Sequence, residues 1–510
     1  MKAAKRALSI IAVCAVLLAC ICVPASAISR PPYNGYTYNT YGQAVAAPVG
    51  YVPDKLYTHQ DMGTTAFTSA GDMFIYNDMI FITDTGNNRI VVLDKNYKFV
   101  REYTQFVGDD GTVYKFSSPK GIYVRDDEIF VTNARMSTNE KGQEFANGDV
   151  LTGSLDGKFM RIFTLPEDAT SEITHFEPLN VVVDNAGYVY VRAYGVLDGL
   201  IVYDYDGNFV TFYGANPVEL TFQLVMEKMW KSIYAREAAD QLLKAVPTEM
   251  SNIFVDDEGF IYTSTESISV SESLRIRKLN AAGDNILTSD PNALVSTVFG
   301  DRQFSWDRGQ EMTTRLVDVH VDESGIIAAL DARLGRVFLY DQISSLLTVF
   351  GAQGDQFGAV EDAKAIGKMG ENYVVLDAID GSLTTYSPTD YMSKLIVADE
   401  CYMTGEYIKG EPYWREVLMY DANNSRAYGA IGKSLLEQEK YGEALSYLKI
   451  GEDRTSYSKA LAEYRTEFIR DNWMWLLPLV VVAVVGFVYL YKLIRKLLGL
   501  TNKKQRIKFK

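Results

Sequence analysis

Asp72, Asn180, Asn252 and Asp318 each open a short apolar run: Asp72-Met73-Phe74-Ile75, Asn180-Val181-Val182-Val183, Asn252-Ile253-Phe254-Val255 and Asp318-Val319-His320-Val321. Gly121 holds the same place in one further copy of the pattern, and Asp362 aligns with it in another. Carboxylate and amide oxygens converging from separate elements form the ligand set of a hard divalent cation such as Ca2+. The same side chains also cap turns by hydrogen-bonding their own backbone, so both readings stand at this point. Other chemistry finds little support. The chain has no Gly-x-Ser-x-Gly, no His-Glu-x-x-His, no Gly-x-x-x-x-Gly-Lys-Ser/Thr phosphate loop and no EF-hand loop. Its three histidines, His59, His175 and His320, suggest no pair, and His320 lies in an apolar strand pattern that reads as core. Cys14, Cys20 and Cys22 share an N-terminal apolar run, leaving Cys401 alone, with no internal disulfide and no thiolate metal cluster.

The strands that must position these residues belong to a repeat. Its clearest copy spans Asp72 to Asp94 and contains Asp84-Thr85-Gly86-Asn87-Asn88-Arg89-Ile90-Val91-Val92-Leu93-Asp94, a stretch that resembles the NHL repeat. Further copies begin near Phe116, Phe176, Asn252, Asp318 and Tyr373. Each alternates apolar and polar residues between Asp, Asn and Gly turns, as hairpins of packed sheets require. A single blade cannot bury both its faces, so six copies predict a ring: a mainly β chain forming a six-bladed β-propeller over 59–400. The strand starts would then face the mouth of its central channel. In this they resemble the gluconolactonase/senescence-marker family, which holds a divalent metal with Glu, Asn and Asp from equivalent positions. That resemblance implies Asp72, Asn180 and Asp318 as metal ligands, Ca or Zn as the cofactor, and Asn252 as a ligand or substrate contact. Asp72 replaces a Glu of the family, and its Pro-Asn-Gly and Pro-Asp-Gly turns are reduced here to Pro178-Leu179-Asn180 and Val317-Asp318-Val319.

The flanks set the context. Lys2, Lys5 and Arg6, an apolar stretch from Ala7 to Val23 and Ala25-Ser26-Ala27 predict a signal peptide over 1–27. Residues 28–58, Tyr-rich and aperiodic, predict an extended leader, with a ring-closing strand as one role for it. An amphipathic pattern predicts a helical insertion at about 217–245. Residues 411–471 predict a helical stalk, in which Ile431-Gly432, Leu435, Tyr441 and Ala444 resemble one tetratricopeptide unit. Residues 473–491 carry no charge and suffice for a single transmembrane helix, with Trp473 and Trp475 at one interface and Tyr489 and Tyr491 at the other. The basic tail 492–510 holds eight Lys and Arg and no acid, which the positive-inside rule places in the cytoplasm, with the body extracytoplasmic.

The chain's net charge of −15 becomes −26 over residues 28–491, since eleven cations and no acids sit in the two end segments. A body so acidic repels phosphate backbones and excludes nucleic acid as a partner. The function expected is a bacterial membrane-anchored binding or scaffold protein whose propeller takes a protein or glycan partner. Resemblance of the architecture adds an accessory role in an envelope carbohydrate transport system. The alternative is a divalent-metal-dependent, lactonase-like hydrolase.

Overall fold

In the computed structural model, six sheets follow one another along the chain as the blades of a β-propeller. Residues 30–138, 144–166, 175–215, 249–266, 272–302, 305–307 and 310–498 are described; the expected signal peptide, helical insertion and distal tail lie outside them. The chain forms two compact units, Met1–Ile396 and Val397–Lys510.

Each blade is an antiparallel meander whose first strand is innermost. These inner strands are Ala70–Tyr76, Pro119–Arg125, Pro178–Val183, Asn252–Val255, Leu316–Val321 and Ala363–Met369 in blades 1 to 6. Five blades have four strands; blade 4 has three among the described residues. Because side chains alternate across a strand, neighbouring residues enter different cores. Met73, Ile82 and Leu93 of blade 1 pack against Ala365, Val374 and Leu376 of blade 6. Phe81 and Val92 of the same blade pack against Ile122, Val131 and Leu151 of blade 2. Burial on both faces explains why middle strands such as Arg89–Leu93 are buried along their whole length.

Turn chemistry follows the local sequence. Asn77-Asp78 and Asp126-Asp127 take positive φ at both positions, the two-residue hairpin turn that Asn and Asp tolerate. Blade 5 uses a longer turn in which Asp322 Oδ1 accepts the Ser324 and Ile326 amides at 3.1 and 2.9 Å while Gly325 takes φ 77°.

The ring is closed by the leader. Tyr51–Tyr57 pairs antiparallel with Leu383–Pro388 as the fourth strand of blade 6, some 330 residues away in sequence. Tyr51 is buried there against Phe350 and Tyr373, with ring centroids at 4.8 and 5.1 Å.

The last blade ends at Pro388, and helix begins at Asp390, earlier than the sequence reading placed it. Thr389 Oγ1 accepts the Met392 amide, and Tyr391, Met392, Leu395 and Ala398 are buried at helical spacing. That period sits in residues assigned from sequence to the propeller. Helices Tyr407–Tyr420, Ser425–Glu437 and Tyr441–Ile450 follow. A Cβ on Gly432 would stand 2.5 Å from Leu448 Cγ, so only glycine lets the last two approach this closely. The final helix, Arg454–Leu497, is 44 residues long, with an 18-residue window of mean hydropathy 2.3 and none of that window buried. It is long and apolar enough to cross a membrane and is consistent with a membrane-anchored protein. Trp473, Trp475, Tyr489 and Tyr491 are all exposed along it.

Candidate functional site

The inner strands do not enter the ring straight. In five blades the pairing with the second strand slips by one residue at the entrance, between Ala70 and Met73, Pro119 and Ile122, Pro178 and Asn180, Leu316 and Asp318, and Ala363 and Ala365. Such a bulge re-aims the residue that follows it. It places Asp72, Gly121, Asn180, Asp318 and Ala365 at equivalent positions; in blade 4 Asn252 opens the inner strand. Asp362, aligned from sequence in the sixth copy, is therefore corrected to Ala365. Asp362 precedes the inner strand Ala363–Met369 and lies in the entering loop, its amide near Asp377 Oδ2 at 3.4 Å.

The two aspartates staple neighbouring blades. Asp72 Oδ1 accepts its own strand's Met73 amide at 2.8 Å, and Oδ2 accepts the Ile122 amide of blade 2 at 3.2 Å. Asp318 repeats this: Oδ1 takes the Val319 amide and Oδ2 the Ile366 amide of blade 6, both at 2.7 Å. The amides complete two pairs. Asn180 Nδ2 donates to Asp72 Oδ2 at 3.4 Å, and Asn252 Nδ2 donates to Asp318 Oδ1. Asn180 belongs to blade 3 and reaches past Gly121, where a side chain has no room: a Cβ there would meet the Leu179 carbonyl at 2.4 Å.

Burial pushes the Asp72 carboxyl up to about 6, against the pull of the Ile122 and Met73 amides. Burial, and after it the charge of Asp72, holds Asp318 well above the usual carboxylate range. The amide oxygens face away from the carboxylates: Asn180 Oδ1 accepts Arg192 Nε at 2.8 Å, and Asn252 Oδ1 accepts the Ile253 amide at 2.6 Å. A cation at this level would meet the two carboxylates as its anionic donors. Among the described residues, no group of three or more His, Cys, Asp or Glu converges as a metal-ligand set.

A cavity of about 860 Å3 extends from the level of Asp72 and Asp318 to the first hairpin turns of the blades, where Asn77, Asp257 and Glu323 are exposed. Its middle is aromatic and aliphatic, with Phe74, Tyr123 and Phe254 on the wall. His320, read from sequence as core, is half-buried on that wall, its ring edge-to-face with Phe254 at 5.0 Å. Burial pulls its imidazole down to about 4, so it is neutral at pH 7. The available signal was its place two residues after Asp318 and two before Asp322 on one inner strand.

A second set of polar residues was missed as a structural device. In the NHL-like stretch, buried Asp84 accepts the Thr68 amide at 2.8 Å, Asn87 Nδ2 at 2.8 Å and Arg89 Nε at 2.8 Å. Asn133, Asp331 and Asp377 accept the amides of Ser117, Arg315 and Glu361 in the same way. These side chains pin the loop that enters each blade.

No protein-family model matches the chain, and no curated protein matches it in sequence. Solved structures resemble it in part. A virginiamycin B lyase from Staphylococcus aureus is 9% identical with a TM-score of 0.35, over 65% of this chain and 99% of that one. A protein of unknown function from Bacteroides thetaiotaomicron is 12% identical with a TM-score of 0.40, over 70% and 76%. A calcium-binding regucalcin from Agrobacterium tumefaciens is 10% identical with a TM-score of 0.37, over 67% and 95%. The class defined here, a six-bladed β-propeller followed by helices, rests on the chain's own sheet order, because a fold carries many activities.

Proposed function

We propose that this chain is a membrane-anchored binding protein of the bacterial envelope, its propeller extracytoplasmic and its basic tail inside. The observation that carries the reading is the cavity of about 860 Å3 along the inner strands, within the size range of ligand sites, in a chain that also bears one long apolar helix. The partner is a protein or a glycan, and an accessory role in carbohydrate transport is the finer form of the reading. Helix starts at Asp390 and Ser425, and at Tyr407 and Tyr441, recur at tetratricopeptide-like spacing, which supports that resemblance and a recruiting role for the stalk. The NHL resemblance is supported by the way Asp84 and Arg89 are used.

Photo-crosslinking in cells tests the binding reading. A crosslinker at the exposed mouth residue Asn77 is expected to trap a discrete envelope protein or glycan species, and one at Val100 on an outer strand is not. Equal trapping from both positions, or none from the mouth, removes the reading.

The electrostatically linked Asp72 and Asp318 favour a second reading, a divalent-metal lactonase-like enzyme. Metal-stripped chain in detergent is then stabilised by Ca2+ or Zn2+, by about 2.7 kcal/mol at a hundred times the dissociation constant. An unchanged melt with either ion ends that reading.

A further inference from the structure

One layer of the cavity has an unequal outline. The inner strands adjoin in ring order and the sixth returns to the first, so blades 1 and 4 face each other across the channel, as do 2 and 5, and 3 and 6. Two residues beyond Asp72, Asn252 and their equivalents stand Phe74, Tyr123, Val182, Phe254, His320 and Gly367, in blades 1 to 6, all on the cavity wall. Phe74 leans on Tyr123 with centroids 4.8 Å apart, and Phe254 on His320 at 5.0 Å. Blades 1 and 2 thus bring one aromatic pair, and blades 4 and 5 bring a second to the opposite side. Val182 and Gly367, on the remaining axis, are small. The layer is a slot, narrow between the aromatic pairs and wider along the other direction.

The charges around this slot are matched within the protein or stand in water. Asp256 pairs with Lys278 at 3.6 Å and Asp322 with Lys368 at 2.5 Å. Arg125 donates to the Val183 carbonyl and Asn185 Oδ1, both at 2.9 Å. Lys364 and Arg192 act on Asp72, and Lys364 acts on Asp318. Asp257 and Glu323 are exposed at the mouth, and His320 is neutral. An ionic ligand would enter an apolar layer with no opposite charge free to meet it, which is costly.

Hydrogen-bonding places do remain. A carboxyl group has about four. The Met73, Ile122 and Asn180 donors occupy three on Asp72, and those of Val319, Ile366 and Asn252 occupy three on Asp318. Among the described residues one place is left on each. A hydroxyl fills it whether the carboxyl is charged or protonated, since a hydroxyl both donates and accepts. His320 adds a donor and an acceptor, its ring nitrogens meeting no protein hydrogen-bond partner among the described residues.

Resting on the reading of the cavity as a binding site, we propose that it takes an uncharged saccharide of about one or two pyranose rings, the C–H faces of one ring lying between Phe74 and Phe254 and the hydroxyls meeting Asp72, Asp318 and His320. The slot lies about 7 Å along the strands from the two carboxyls, at roughly 3.3 Å per residue, so one such ligand touches both levels. Aromatic faces are electron-rich and accept polarised C–H groups. A purely apolar ring would fill the slot but leave both carboxyl places unmet.

The test is titration calorimetry of the full chain in detergent. At least one of maltose, cellobiose, lactose, mannobiose and xylobiose is expected to bind, with an affinity indifferent to salt because no charge is exchanged. The dimers of galacturonate and of glucosamine, anionic and cationic, are expected to be about tenfold weaker or more. Phe254→Leu should weaken the bound disaccharide several-fold through the lost ring face. His320→Leu, which removes no protein hydrogen bond, should also weaken it several-fold and leave the melting temperature unchanged. Failure of every neutral disaccharide to bind, equal binding of either charged dimer, or unchanged affinity in both variants overturns the proposal. Crosslinks from Asn77 that persist when no disaccharide binds reject the saccharide and leave the binding reading in place; loss of both removes both.

Discussion

Asp72 and Asp318 hold blades together and at the same time carry poorly solvated charge. Each carboxylate joins its own strand to the inner strand of the next blade through two backbone amides. Asp318→Ala would leave the Ile366 and Val319 amides and Asn252 Nδ2 without an acceptor, at a cost of about 2–4 kcal/mol by urea denaturation. A loss below half of that would mean that water replaces the staple. The charge works in the other direction. Asp72 keeps its proton to about pH 6 in the fold, whereas the unfolded chain releases it near the ordinary value of 3.8. The folded state thus binds more protons between these values, and stability is lost as pH rises through them. Asp318 shifts in the same sense. Melting temperature measured from pH 4 to 7 should fall less in Asp72→Asn than in the native chain. Parallel curves would show that Asp72 titrates normally.

The strand Tyr51–Tyr57 illustrates how one element completes the ring. Without it, Leu383–Pro388 would expose an unpaired edge, a template for association with other chains. Tyr51 anchors the strand among aromatic rings, and Tyr51→Ala is expected to destabilise the protein by about 3–5 kcal/mol, as large aromatic truncations in cores do. The readouts are urea denaturation and size-exclusion chromatography, with a rise in aggregate accompanying the loss. A change under about 1 kcal/mol would mean that the closing strand is dispensable. In the helical region, Gly432 does comparable work by letting Ser425–Glu437 and Tyr441–Ile450 close to backbone distance.

For the chain as a whole, the long apolar helix is consistent with a membrane-anchored protein. Arg454–Leu497 runs without interruption through the expected stalk helix and the expected span, with Pro478 inside it. Val482 is 71% exposed on this helix. Val482→Arg should cost roughly 2.5–3.5 kcal/mol of insertion and move the protein from the carbonate-resistant membrane fraction to the soluble one. Retention of the variant in the membrane would argue against a span. Protease added outside intact cells should digest the bulk and spare the basic tail; digestion of the tail alone would reverse the proposed orientation.

Blade count, strand periods, hairpin turns and the long apolar run were legible in the residues, because each depends on neighbours only a few positions apart. Asn77-Asp78 needs nothing distant to make its turn, and an uncharged run from Trp473 to Tyr491 needs no partner to be apolar. Asp72, Asn180, Asn252 and Asp318 were likewise legible as strand starts. Their pairing was not, since it depends on which blades adjoin and where each bulge falls. Asp362 fell in the loop before the inner strand, leaving Ala365 at the equivalent position, and the Gly121 gap let Asn180 reach Asp72. A ring-closing strand was among the roles read for the leader, but its partner, Leu383–Pro388, and the exposure of His320 to the cavity were tertiary outcomes. A period of two says which residues share a face of a strand, but only the closed ring determines what that face meets.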